Sequence, residues 1–184
     1  MSASNHVSLR SMIYAALFGA LTAIGAFIVI PLQPVPITLQ SLFTCLAGIL
    51  LGSSVGAMSQ IVYVLLGIIG LPVFAGGKAG IGVLLGPTGG YLLGFIAAAL
   101  VIGQIVRMKR NPGLLWLILA LVAGNLAIYL LGITQLILTT HLSVYQALII
   151  GLLPFLPGDI FKLAAAAWLA RMLYQYFPYG RQAS

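Results

Sequence analysis

The only acidic residue of the chain, Asp159, lies in LPFLPGDIFKLAAAAWLA (153–170), three positions before Lys162. At i, i+3 on a helix the two side chains share a face and can meet. An ionised carboxylate offers only acceptors and an ammonium only donors. Side by side they complement a small group carrying both N–H and C=O, such as a urea or an amide. The same pair could instead neutralise itself as a structural salt bridge. The two readings are compatible, because an ion pair closed in the empty state can open around a ligand. Ionisable residues inside apolar segments are by default ligand or ion sites.

Other chemistries are poorly supplied. One acid, two His and one Cys cannot make a carboxylate pair, a convincing metal cluster or a Ser-His-Asp triad, so neither an enzyme nor a metal site is expected. His6 falls in the amino-terminal tail and His141 in an outer loop, both solvated. Cys45 has no disulfide partner and reads as a small buried helix residue. FAGGKAGIGVLLGPTGGY (74–91) suggests a phosphate loop, yet Pro72 stands where the first Walker A glycine belongs and Ala79 where Ser or Thr should follow Lys78. The Rossmann pattern fails as well, since Gly80 and Gly82 are followed by Leu85 and no strand precedes them. These glycines are better suited to tight turns and close approach of backbone to a ligand; a plain flexible loop is the alternative.

The elements that must carry these residues are membrane helices. Of the 184 residues 62% are hydrophobic and 5% charged, with a mean hydropathy of +1.19, whereas soluble domains carry roughly a quarter charged residues. No cleavable signal peptide is apparent in MSASNHVSL, and the apolar stretch behind it has the length of a span. Six spans are predicted at about 12–30, 37–51, 55–71, 90–107, 114–138 and 157–177, in a single membrane domain covering 1–184. Pro31, Pro34 and Pro36 break the chain after the first, and Gly52–Ser54 turns between the second and third. YQALIIGLLPF (145–155) is short of the ~20 residues a crossing needs and is expected to lie against the outer face. Pro157 suits a first helical turn, where Asp159 complements the helix dipole.

With both termini cytoplasmic, Arg10, Arg107, Lys109, Arg110, Arg171 and Arg181 fall inside, six of the eight Lys and Arg, as the positive-inside rule requires. The net charge of +7 thus reports orientation rather than nucleic-acid binding. The irregular Pro- and Gly-rich segments 31–36, 71–89 and 139–157 then all fall outside, at the end that holds Asp159 and Lys162. Such backbone is tolerated at membrane depth only where protein or a water-filled cavity satisfies it. No internal repeat of the kind common in self-sufficient transporters is evident.

Thr38 and Gln40, Gln60 and Tyr63, and Asn125 and Tyr129 are polar residues within spans, where interhelical hydrogen bonds are the usual use. Gln40 stands apart because it follows the outer PVPIT turn; Gln60 and Gln135 read as structural. In the first span Ala15, Gly19 and Ala23 make one small-residue stripe and Ala16 with Ala20 another, suited to close helix packing or to docking a partner.

Taken together, PVPITLQSLFTCLAGILLG, GLPVFAGGKAGIGVLLGPTGGYLLGF and LLPFLPGDIFK resemble the BioY family, the biotin-binding S components of energy-coupling-factor vitamin transporters, over roughly residues 14–172. The resemblance implies an all-α, six-helix integral membrane protein of the cell membrane with a biotin pocket near the outside and biotin as transported ligand, with no cofactor. It further implies partnership with a transmembrane coupling protein and two cytoplasmic ATPase subunits, which would supply ATP hydrolysis. Asp159 and Lys162 become the implied ligand contacts, with Gln40 and the backbone of Gly76, Gly77 and Gly80. Tyr91, closing GPTGGY, and Asn125 join the candidate set. Ala16 and Ala20 match the motif by which S components dock on the coupling protein. Gln135 departs from the aromatic residue expected there in many relatives. Biotin's ureido ring suits the donor–acceptor pair: Asp159 would accept a ureido N–H, and Lys162 would serve the ureido oxygen or the valerate carboxylate. An S component for another small vitamin, or a membrane scaffold with a structural Asp–Lys pair, are the alternatives.

Overall fold

Ser8 opens the first helix by accepting a hydrogen bond from Ser11 N at 3.2 Å, and α1 runs Leu9–Phe27. The structure, a computed structural model, describes residues 8–177; His6 and Arg181 lie outside the described residues. α1 ends earlier than residue 30 because Val29–Ile30 (β1) pairs antiparallel with Ile37–Thr38 (β2). Pro31, Pro34 and Pro36 in the intervening turn lack the N–H a helix would need.

α2 covers Gln40–Ile68, but Gly52 inside it has φ 75° and ψ −179°, a conformation open to glycine and closed to most side chains. There the chain folds back on itself. Thr44 Oγ1 lies 3.0 Å from Gln60 Oε1, whereas sixteen residues of straight helix would separate them by about 24 Å. Gln40 likewise bonds Tyr63. The two arms, 40–51 and 53–68, are therefore antiparallel, and the turn expected over Gly52–Ser54 is confined to Gly52. Gln60 pins the hairpin to α1, donating to Thr22 Oγ1 at 3.2 Å, which is the structural use expected of it.

An irregular stretch with a single 3-10 turn at Ala75–Gly77 and the short helix α3, Ile81–Leu85, leads to α4, Gly89–Arg107. α5 runs Leu114–Thr140 and is closed by His141 in a left-handed conformation (φ 55°), whose N–H bonds Ile137 O at 2.9 Å. Ser143 and Gln146 form a capping box at the start of α6, Val144–Gly151. That helix buries Ala147 and Gly151 and exposes Val144 and Tyr145, as a helix resting on the outside of a bundle would. α7 is Leu156–Leu173, with Pro157 in its first turn.

Five stretches are long and apolar enough to cross a membrane: Leu9–Phe27, Gln40–Ile68, Gly89–Arg107, Leu114–Thr140 and Val144–Leu173. Their shared core is largely aliphatic, with Ile49, Leu50, Ile102 and Leu121 essentially inaccessible beside the buried Tyr63, Phe74 and Gln60. Large apolar side chains also point outward, among them Ile13, Leu115, Leu130, Phe161 and Trp168, as expected of a multi-pass membrane protein whose helices meet lipid.

The two ends of the bundle differ in character. At one end Tyr14 of α1 packs on Phe177, with ring centroids 5.4 Å apart, and Leu114 shares a groove with Arg171. Lys109 covers the Trp116 ring at 4.2 Å, so Arg10, the 107–110 cluster and Arg171 gather there. The β1–β2 hairpin, the 71–89 segment and the first turn of α7 occupy the opposite end. The small-residue stripes of α1 part company: Ala15 and Gly19 are buried against the bundle, while Ala16 and Ala20 face outward.

Candidate functional site

Asp159 enters the site from the first turn of α7 and is 6% exposed; Lys162, one turn on, is 9% exposed. Lys162 Nζ lies 2.5 Å from Asp159 Oδ1. The other carboxylate oxygen, Oδ2, accepts from Asn125 Nδ2 at 2.9 Å and from the Tyr129 hydroxyl. Asn125 and Tyr129 are i, i+4 on α5, so one helix face delivers both donors. Lys162 Nζ also donates to Ser41 Oγ at 2.9 Å and to Thr38 O at 3.4 Å, using its three hydrogens on three acceptors. The two charges are thus fully compensated, which a buried ion pair requires if its desolvation is to be offset.

Around this polar floor lies a cavity whose empty space, the open solvent at its mouth included, is about 690 Å³. Its walls are apolar and aromatic, drawn from Phe74, Tyr91, Leu92, Phe95, Ile128 and Phe155. Tyr91 and Phe155 stack with centroids 6.4 Å apart, and the Tyr91 hydroxyl donates to Gly151 O at 2.8 Å, tying α6 to the wall. Thr88 and Lys78 border the same space. Lys78 is exposed, in contrast to the caged Lys162, and it also lines a vestibule between the β1–β2 hairpin and the 75–88 segment.

Of the sequence-derived candidates, Asp159, Lys162, Gln40, Tyr91 and Asn125 line this cavity together. Gln40 spends its amide within the protein: Oε1 accepts from Thr38 Oγ1 at 2.7 Å and Nε2 donates to Tyr63, whose hydroxyl continues to Val73 O at 3.1 Å. Gly76 borders the vestibule, while Gly77 and Gly80 border neither space. Gly76, Gly77 and Gly80 all have positive φ (69°, 75° and 92°), the region glycine enters without strain. They let the loop reverse so that Phe74 N bonds Lys78 O at 3.0 Å, presenting Phe74, Ala75 and Lys78 to the cavity.

Several residues of the site were not singled out from sequence. Tyr129 reads as an interhelical bond, although its i, i+4 spacing from Asn125 could have joined it to the Asp159 cluster. Lys78 reads only as the lysine of a failed phosphate-loop pattern in an outer loop. Ser41, Thr88, Phe95 and Phe155 carry no local signal, because they converge only in three dimensions.

The BioY family model matches residues 1–179. The chain is 45% identical to the biotin transporter BioY of Thermotoga maritima, over 90% of this chain and 96% of that one. It is 41% identical to a probable biotin transporter BioY of Lysinibacillus sphaericus, over 92% and 89% of the two. Among solved structures it superposes on the S-component for biotin from an ECF-type ABC transporter with a TM-score of 0.85 and 28% identity, covering 95% of each chain. By this match along nearly its whole length, the chain belongs to the BioY family.

Proposed function

We propose that this protein is the biotin-binding subunit of a vitamin uptake transporter, capturing biotin at the outer face of the cell membrane for import. The observation that carries the proposal is the buried Asp159–Lys162 pair at the floor of an apolar cavity, at the end of the bundle remote from the basic cluster. Biotin's ureido group has the donors and acceptor that such a pair complements. Its fused sulfur ring needs the aromatic and aliphatic wall. Asp159 accepts a ureido N–H, and Lys162 swings from Asp159 to the ureido oxygen. Asn125 and Tyr129 keep the carboxylate in place while the ion pair opens. The valerate carboxylate then extends toward the mouth, where Lys78 offers an exposed cation. That assignment favours the ureido oxygen for Lys162, whose caged position leaves the charged tail to the loop.

The same reading sets the topology. Six crossings, with the two arms of α2 counted separately and both termini cytoplasmic, place the basic cluster inside, in keeping with the positive-inside rule. Gln40 and the glycines at 76, 77 and 80 then shape the outer rim rather than grip the ligand through side chains. The energy for import comes from partners, a transmembrane coupling protein and two cytoplasmic ATPase subunits. The outward-facing Ala16 and Ala20 on α1 offer a small-residue ridge on which the coupling protein can pack closely.

The test is mass spectrometry of the small molecule that copurifies with the protein from cells grown with biotin. Biotin is the expected species; a different vitamin in its place would overturn the ligand assignment.

A further inference from the structure

Gln135 on α5 points its side-chain nitrogen at the loop that walls the cavity. Nε2 donates to Leu84 O at 2.7 Å and to Gly86 O at 2.8 Å. Two carbonyls can only accept, so they fix the amide with its NH₂ toward them. Both lie at the end of the five-residue helix α3, whose last carbonyls have no partner within the helix. Gln135 therefore acts as a cap supplied from a neighbouring helix. The residues flanking this attachment, Val83 and Thr88, line the cavity.

The two ends of the loop are fastened differently. At the α2 side Gly80 N bonds Gly67 O at 2.8 Å, and the Phe74 ring fills the space that any side chain at Gly67 would occupy. That end is held by main chain and a buried aromatic. At the α5 side the single side chain of Gln135 holds two carbonyls. Gly90 makes room for it, since a Cβ there would lie 2.7 Å from Gln135 Cβ. Gly86 O keeps a second bond, from Gly89 N at 3.1 Å, but Leu84 O has no other donor among the described residues. A carbonyl that loses its donor in apolar surroundings is costly, so the 84–88 segment stays on α5 until water replaces the amide.

We infer that Gln135 is a positioning residue for the ligand cavity: it latches the 84–88 wall onto α5 and thereby sets how long a bound ligand is retained. The ligand half of this inference rests on the biotin reading; the wall half does not.

Gln135→Met keeps the length of the side chain and removes both donors, and Gln135→Leu is a shorter second variant should the first not fold. Hydrogen exchange on the ligand-free protein should quicken about tenfold, the value of one or two buried hydrogen bonds, and only over residues 81–89. Labelled biotin should leave the variant faster by a similar factor. Unchanged exchange over 81–89, or quickening spread across α4 and α5 with unchanged biotin release, would overturn the latch. Failure of the wild-type protein to bind biotin would overturn the ligand reading instead, leaving local exchange to decide what Gln135 does.

Discussion

Lys162 Nζ lies 2.9 Å from Ser41 Oγ, so the cation that pairs with Asp159 within α7 is also bonded to the first turn of α2. The ion pair is therefore more than an intrahelical i, i+3 contact. Through Thr38 O it reaches β2, in the β1–β2 hairpin, and through Asn125 and Tyr129 it reaches α5. One small cluster thereby ties together three helices and the rim of the cavity. A ligand that draws Lys162 away from Asp159 is felt at the hairpin as well as on α7.

Removing either charge strands the other. Asp159→Asn and Lys162→Met should each cost about 3–5 kcal/mol, or roughly two to four orders of magnitude in biotin affinity. The double substitution should cost less than the sum of the two, because it leaves no lone buried charge. The check is biotin binding by all three purified variants; strict additivity would mean that the charges act independently.

Lys78 should matter only for the ligand's charged tail. Lys78→Gln is expected to weaken biotin binding by about tenfold, in the range of one charge-assisted hydrogen bond. Binding of biotin amide, which lacks the carboxylate, should not change. Equal losses for both ligands would move the tail elsewhere.

The outward ridge of α1 should separate binding from transport. Ala20→Leu faces away from the bundle, so biotin binding by the isolated chain should persist. Copurification with the coupling protein and cellular biotin uptake should both fall, because a bulky side chain holds the helices apart. Normal uptake by this variant would remove Ala16 and Ala20 from the docking surface.

Much of this arrangement was legible in the sequence because it depends on local spacing or on scarcity. A lone carboxylate three residues before a lysine shares a helix face with it and can pair, and the structure forms that pair. The basic residues cluster at span ends, so their common end could be read without coordinates. The reversal at Gly52 was legible as Gly-Ser-Ser between two apolar runs. The β1–β2 ladder was not, since two-residue strands are too short to show an alternating pattern and the first helix therefore looked longer. Ser41 and Thr38 stand more than a hundred residues from Lys162, beyond the reach of any spacing rule. Gln135 read as a structural polar residue and as a departure from its relatives, and its particular use emerged when the loop carbonyls came to rest on it.

The expectation that this chain alone forms a biotin site gripping through the Asp159–Lys162 pair can be put to one measurement. It is tested most directly by titrating biotin into the detergent-solubilised wild-type protein, without any other subunit, beside Asp159→Asn. Saturation at one biotin per chain is expected for the wild type, and binding at least about a hundredfold weaker for the variant. Absence of saturable binding by the wild type, or equal affinity in the two proteins, would contradict it.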